Sequence, residues 1–244
     1  MNRSIKRHQQ PWGWGRRLLF GLLIIIGLAL GVAFYGYKIE PHWVQVVSVD
    51  VTLPHLAPEF DGYRVVQLSD IHIEGKTSPE YLQKVIRKVN QQKPDVIALT
   101  GDFVTSRPEK FAPQLSEFLR QLQSQERTVA VLGNHDQWSD PTVVRQALQQ
   151  GGVKDISNGV YPIRRGAATL YMAGVDDYWV GAADLEAVLK QLPGNDAAIL
   201  LVHEPDFADQ SSKTRRFDLE LSGHSHGGQV AIPGFTHPKL PPYG

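Results

Sequence analysis

DVIALTGD, residues 95–102, is a short apolar run that ends in residues a buried core rejects. Val96 to Leu99 suit a strand, whereas Gly101-Asp102 suit the turn at its tip. The same arrangement recurs along the chain. YRVVQLSD (63–70) ends in Asp70, with His72 two residues on. TVAVLGNHD (128–136) ends in Gly133, Asn134, His135 and Asp136. AAILLVHEP (197–205) carries His203 at its end, and FDLELSGHSH (217–226) delivers His224 and His226 into a glycine-rich turn. Five of the nine histidines stand at such tips.

Between the early runs the apolar residues recur at helical spacing. Ser78 is a cap and Pro79 a first helical residue for a helix over 79–92, with Leu82, Val85, Ile86 and Val89 on one face. Leu115, Phe118, Leu119 and Leu122 mark a second helix, and Val143, Val144, Ala147 and Leu148 a third. This alternation predicts βαβ units and parallel pairing. Later, VYPIRR (160–165) and TLYMAGVDD (169–177) read as paired strands around Arg165-Gly166, followed by a helix near 182–192. Two packed sheets covered by helices fit this order.

At 244 residues, 42% hydrophobic and 20% charged, the chain is long enough for a full core in one or two domains. It has no cysteine, which excludes disulfides and thiolate chemistry. A metal site here must use His, Asp, Glu or Asn. The formal net charge is zero, but five of the 25 basic residues (Arg3, Lys6, Arg7, Arg16 and Arg17) precede residue 38 with no acid among them. The rest carries 20 Lys and Arg against 25 Asp and Glu, a net −5. Such a body lacks the basic footprint of a nucleic-acid binder, so nucleic acid is an unlikely partner and a nuclease a weak reading.

Residues 1–17 form a basic tail, and LLFGLLIIIGLALGVAFYGY (18–37) has no charge across 20 positions. That length spans a bilayer core as one transmembrane helix, with Trp12, Trp14, Tyr35 and Tyr37 as interfacial aromatics. The basic tail keeps the N-terminus cytoplasmic. The expectation is a single pass in the cytoplasmic (inner) membrane with the body on the extracytoplasmic side. A cleaved signal peptide competes, helped by Ala29, Gly31, Ala33 and the Arg16-Arg17 pair. The length of the run favours an uncleaved anchor. Residues 38–62 read as a connector and first strand (Val44, Val46 and Val47 leading to VSVDVTL), closed by an Asp61-Gly62 turn, and residues 63–244 as the catalytic domain.

Each polar tip alone is ordinary: Asp70 a cap, Gly101-Asp102 a turn, His203 a hydrogen-bonded core histidine. Together they differ, because the carboxyl ends of strands in open α/β folds converge on one crevice. There they gather two Asp, one Asn and four or five His without Lys or Arg, an arrangement that is costly unless a cation fills it. Oxygen and imidazole donors suit Zn, Mn or Fe. In an extended segment Asp70 and His72 point the same way and meet one ion. Glycine frees His224 and His226 from strict alternation, so each can reach a different ion.

DIH (70–72), GD (101–102), GNHD (133–136), the isolated His203 and GHSH (223–226) resemble, in order and approximate spacing, the calcineurin-like metallophosphoesterases. GHSHGGQV with the N-terminal apolar segment is similar to the bacterial YkuE/YaeI-type phosphohydrolase branch. The resemblance runs from about residue 45 to the end. It implies an α/β, four-layer αββα sandwich of two mixed sheets with a binuclear metal centre at the strand ends. By motif, Asp70, His72 and His226 resemble the ligands of the first metal, Asp102 the bridging carboxylate, and Asn134, His203 and His224 the ligands of the second. His135 resembles the catalytic histidine beside the scissile phosphate, and Asp136 the residue that orients it. The implied chemistry is attack of a bridging hydroxide on phosphorus, assisted by two divalent metal ions (Mn, Fe or Zn). Family members of this branch usually continue for a few tens of residues beyond PKLPPYG, so an edge of the sandwich is expected to be missing.

The function expected is therefore a membrane-anchored, metal-dependent phosphoesterase acting on a phosphomonoester, phosphodiester or pyrophosphate. A phospholipid or lipid-linked phosphate is an attractive substrate because of the anchor. A non-catalytic metal-binding or scaffolding module is the alternative, and the intact His135-Asp136 pair speaks against it. Phe103, Trp138, Tyr178 and Trp179 lie near motif ends, where aromatics line a pocket or serve packing.

Overall fold

In the computed structural model of the chain, residues 13–75 and 77–228 are described. They fall into two units that divide between Val47 and Ser48. The first unit is one helix, α1 (Trp14–Phe34), continued by a wider turn (Tyr35–Ile39) and a short 3₁₀ turn (Glu40–His42). Its 21 α-helical residues span about 32 Å at roughly 1.5 Å per residue, enough for a bilayer core. The helix buries no residue within this unit. It is apolar all round, as a lipid-facing helix must be, where a helix on a soluble core is one-sided.

The second unit is built on eight strands in two four-stranded sheets. In the first, β1 (Val65–Leu68), β2 (Val96–Thr100), β3 (Arg127–Val131) and β4 (Lys154–Asp155) lie in sequence order and all parallel. The crossovers are α2 (Pro79–Gln91), α3 (Pro108–Arg120), and the consecutive α4 (Asn134–Ser139) and α5 (Pro141–Gln150). As the sequence suggests, the Ser78 Oγ caps α2 by accepting from the Tyr81 N–H at 3.1 Å, and Pro79 opens it.

The second sheet begins with an antiparallel hairpin, β5 (Gly159–Arg165) and β6 (Ala168–Gly174), turned at Gly166. Then β7 (Ala198–Leu201) and β8 (Leu219–Leu221) add in parallel, through α6 (Leu185–Gln191) and α7 (Ala208–Thr214). The hairpin makes this sheet mixed.

Alternation along β2 shows why four layers form. All five of its residues are buried, so both faces of the strand are covered. Val96 and Ala98 join Val129, Val131, Leu170, Met172, Ile199 and Leu201 in a core between the sheets. Ile97 and Leu99 point the other way and pack with Ile86 of α2, Leu115 and Leu119 of α3, and Leu148 of α5. On the far side, Ala198 and Leu200 of β7 pack with Val188 of α6 and with Phe207. The order is helices, sheet, sheet, helices: the αββα sandwich.

The strand expected within residues 38–62 is not formed. The described structure assigns no strand to residues 43–53, and Val46, Val47, Val49 and Val51 are exposed. β-branched alternation favours an extended chain, but a strand also needs a neighbouring backbone to bond with, and none of the eight strands pairs with this segment. Leu53 and Leu56 still pack on the core between the sheets. The expectation about the C-terminal edge, and Gln229-Val230 of the last motif, lie outside the described residues.

At the end of the sandwich where β2 begins, Arg165 at the tip of β5 ties the sheets together. Its Nη2 pairs with Asp95 at 2.6 Å and Glu126 at 3.0 Å, and its guanidinium lies 4.7 Å from the Tyr63 ring centroid.

Candidate metal centre

The parallel strands β1, β2, β3, β7 and β8 all point their carboxyl ends to one edge of the sandwich, and every predicted ligand sits just past one of these ends. The strand tips are bonded to one another. Asp70 N–H donates to the Gly101 carbonyl at 3.0 Å, His72 N–H to the Asp102 carbonyl at 3.0 Å, and Gly223 N–H to the His203 carbonyl at 2.9 Å. The glycines make this approach sterically possible. A Cβ on Gly133 would stand 2.7 Å from the Asp102 nitrogen and 2.8 Å from His203 Cε1, and one on Gly223 would collide with Ser69 Oγ.

The backbone here is strained in a way the residue types hide. Asp70, His72, Asp102, His224 and His226 all have positive φ, between 47° and 68°. They are five of the nine described non-glycine residues in the left-handed region. Such conformations cost of order 1–3 kcal/mol each and persist where surrounding contacts enforce them. Asp70 and His72 therefore converge through left-handed turns and not through the extended alternation expected of them.

The side chains form three groups of inward-facing ligand atoms, each within 4.8 Å: Asp70, His72 and His226; His72, Asp102 and His135; and Asp102, His203 and His224. His72 Nε2 lies 3.1 Å from His226 Nε2 and 3.4 Å from Asp102 Oδ2, and His226 Nε2 lies 3.3 Å from Asp70 Oδ1. On the other side of Asp102, His203 Nε2 lies 3.3 Å from Asp102 Oδ2 and 3.2 Å from His224 Nδ1. Asn134 Oδ1 stands 3.1 Å from His203 Nε2 and 3.0 Å from His224 Nδ1. Asp102 thus belongs to both halves. The seven residues named as candidate ligands from the sequence come together here, with His135 beside them.

This donor set fits divalent cations. Imidazole nitrogens face each other and carboxylate oxygens at hydrogen-bond distance, and among the described residues Asp70 and Asp102 form ion pairs with histidines alone. His203 shows how a ligand is oriented: its Nδ1–H donates to the Thr100 carbonyl at 2.7 Å, so Nε2 faces the cluster.

The electrostatics agree. Burial pushes the Asp70 carboxyl up, but hydrogen bonds from His226 and Ser69 outweigh it and hold the group down to about 2. Burial disfavours protonation of His203, yet the Asp102 carboxylate more than offsets this and pushes the imidazole up to about 9.

His135 and Asp136 open α4 from the tip of β3. The His135 N–H donates to Asp102 Oδ1 at 2.9 Å, and its ring meets the His72 ring edge-on at 4.8 Å. Asp136 is fully buried, and burial together with the charge of Asp102 pushes it up to about 7. Its carboxylate accepts from the N–H groups of Gly133 (3.1 Å), Phe103 (2.9 Å) and Val104 (3.3 Å). These bonds run to backbone N–H groups and not to the His135 ring. The ring is held by the Thr105 carbonyl, 3.2 Å from Nδ1, so Asp136 acts on it through the 103–105 loop.

Thr105 is the residue that sequence reasoning missed. Besides holding His135, its Oγ1 lies 3.3 Å from His72 Nδ1. It stands three residues past Asp102 with no pattern to single it out. Of the aromatics noted, Phe103 is fully buried in the outer core, whereas Trp138, Tyr178 and Trp179 are exposed. A cavity of about 550 Å³ opens beside Asp70, Gly223 and His226.

The Calcineurin-like phosphoesterase family matches residues 63–228, which contain every residue of this cluster. The metallophosphoesterase YkuE of Bacillus subtilis is 34% identical over 234 residues, covering 93% of this chain and 80% of that protein. A transmembrane protein with metallophosphoesterase domain from Danio rerio is 30% identical over 221 residues, covering 86% of this chain. This chain spans 50% of that relative's length. The UDP-2,3-diacylglucosamine pyrophosphatase LpxG of Chlamydia muridarum is 25% identical over 261 residues, covering 87% of this chain and 78% of that protein. Sandwich, converging strand tips and family match agree: the chain belongs to the calcineurin-like phosphoesterase family and is a phosphoester hydrolase.

Proposed function

We propose that the cluster is a binuclear metal centre and that the chain is a single-pass enzyme of the cytoplasmic membrane with its catalytic domain on the extracytoplasmic side. The observation that carries this reading is the position of Asp102 between two sets of ligands, Asp70, His72 and His226 on one side and Asn134, His203 and His224 on the other. Two divalent ions of Mn, Fe or Zn, when bound, supply Lewis acidity that acidifies water and offsets charge on the phosphate.

The residues do the rest. Asp102 holds the two halves in register, and its second oxygen fixes the backbone of His135. The Thr105 carbonyl takes the Nδ1–H of His135, leaving Nε2 to face the substrate. In hydrolysis a water oxygen forms the new P–O bond, the ester P–O bond breaks, and the departing oxygen takes a proton. We assign that proton delivery to the Nε2–H of the His135 imidazolium, which the proton given up by the attacking water restores, and we assign contact with the phosphate oxygens to the same ring. Asp136 fixes the loop that positions His135.

The anchor supports a substrate in the membrane, a phospholipid or a lipid-linked phosphate, and the name of the LpxG relative points the same way. Basic residues ahead of the apolar run support the cytoplasmic placement of the N-terminus. The test is turnover of bis-p-nitrophenyl phosphate and p-nitrophenyl phosphate by the full chain, with Mn, with Zn and after chelation. Metal-dependent release of p-nitrophenolate that Asp102→Asn abolishes is expected. Turnover that survives chelation would overturn the proposal.

A further inference from the structure

Most side chains at the rim of the cluster are polar and tied down, but two large apolar ones stand free beside it. Trp138 is 60% exposed, and its ring centroid lies 5.3 Å from that of His135. Trp179 is 45% exposed, with its ring edge-on to His224 at 4.2 Å. The first histidine groups with His72 and Asp102, the second with Asp102 and His203, so one indole stands against each half of the cluster. An exposed indole costs solvation that its contact with an imidazole only partly recovers. Of the exposed large hydrophobics in the described part of the catalytic unit, Val49 and Val51 lie in the N-terminal segment, and the rest are Trp138 and the run Tyr178, Trp179 and Val180.

The two segments are rigidly built. Gln137, next to Trp138, donates from Nε2 to Asp176 Oδ1 at 2.7 Å, and Arg145 of α5 pairs with Asp176 at 2.7 Å. The turn that presents Trp179 is pinned at both ends. The Tyr178 N–H donates to Glu204 Oε2 at 3.1 Å, the Val180 N–H to Asp177 Oδ1 at 2.7 Å, and the Ala182 N–H to the Asp177 carbonyl at 3.0 Å. Asp177 and Glu204 are fully buried, so two carboxyl groups are spent on holding one exposed turn. This is the construction of a binding wall: the backbone that presents both indoles is held in place before a ligand arrives.

The chemistry of the wall narrows what it holds. On the loops that carry the cluster, at 69–78, 101–107, 133–140, 176–182, 203–207 and 222–228, the sequence has only Lys76 and Arg107 as cations. A substrate with several phosphates would need more counter-charge than that. A nucleobase would need polar groups set to read its edge, whereas the large exposed apolar groups here are two indoles, the Tyr178 ring and a valine. A flexible hydrocarbon chain needs only apolar area.

We infer that Trp138 and Trp179 form a two-sided aromatic rim that takes the alkyl or acyl part of an amphiphilic phosphoester while its phosphate lies on the cluster. The inference rests on the phosphoesterase reading and names the residues that select among its substrates.

The test compares n-hexyl phosphate with methyl phosphate as ligands of the full chain by calorimetry. It is paired with hydrolysis of hexyl and methyl p-nitrophenyl phosphates, which share one leaving group. Wild type is expected to bind the hexyl compound about tenfold more tightly, and to show a similar preference in kcat/KM. In Trp138→Ala/Trp179→Ala the hexyl-to-methyl ratio falls to near unity in both affinity and kcat/KM. The Trp→Phe double variant keeps most of the preference. Equal affinity for both phosphates in wild type, a preference that survives the double Ala variant, or tighter binding of a nucleoside monophosphate than of hexyl phosphate would overturn the inference. Failure of the phosphoesterase reading looks different: a binding preference that depends on the two indoles, without metal-dependent hydrolysis of either diester.

Discussion

The two ends of the sandwich treat a buried aspartate in opposite ways. Where β2 begins, Asp95 is 9% exposed and meets the Arg165 guanidinium at 2.6 Å, with the Arg64 N–H at 2.8 Å. Where β2 ends, Asp102 is 1% exposed, and its nearest charged partners are the imidazoles of His203 and His72 at 3.3 and 3.4 Å. Only five residues lie between Asp95 and the start of the tip at Gly101. One carboxylate has a permanent cation supplied by the chain, and the other has groups that are themselves ligands. A fold that can place an arginine at one end of a strand has left the other end for a cation from solution. The backbone differs in the same sense, because the left-handed residues cluster at the Asp102 end: Asp70, His72, Asp102, His224 and His226.

This contrast can be broken by exchanging the roles. The largest effect is expected from Asp102→Asn, which removes a charge shared by both ligand sets. Turnover should fall at least about 10³-fold, with loss of bound metal, as read by steady-state kinetics and metal analysis. His135→Ala comes next, with kcat lower by about 10²–10⁴-fold and metal content unchanged. Loss of metal in that variant would show that His135 is a ligand and not the proton donor. At the opposite end, Asp95→Ala takes the carboxylate from Arg165 and from the Arg64 N–H. Arg165 keeps Glu126 as a partner, so the loss of stability should be about 1–2 kcal/mol, with the metal dependence of turnover unchanged, as measured by denaturant melts and assays. An equal loss of metal there would erase the distinction between the two ends. The smallest effect is expected from Thr105→Val, which removes the contact with His72 Nδ1 but keeps the backbone carbonyl that holds His135. Metal affinity should drop about 10-fold, with kcat at saturating metal close to wild type.

The sandwich was legible because hydrophobic burial writes itself into residue order. Val96 to Leu99 must be covered on both faces, and the helical stripes of α2, α3 and α5 supply the cover. The cluster was legible because polar residues at the ends of apolar runs have nowhere to go except a shared edge. Other features depend on contacts between distant segments and leave no local trace. The left-handed turns at Asp70 and His72 come from hydrogen bonds to the Gly101 and Asp102 carbonyls, about 30 residues away in sequence. Thr105 matters through two histidines on other strands. Residues 43–53 have the alternation of a strand, yet pairing is a property of two segments, and local pattern records only one. The route by which Asp136 could act on His135 was hidden in the same way: the start of α4 turns its carboxylate inward, where it accepts from the N–H groups of Phe103 and Val104 in the 103–105 loop.

The most direct test of the account is the metal content of the purified full chain, wild type and Asp102→Asn, after equilibration with Mn or Zn. The account predicts two divalent ions per wild-type chain and a clear loss in the variant, in step with the loss of phosphodiester turnover. Two ions retained by Asp102→Asn, or full turnover by a wild-type chain stripped of metal, would contradict it.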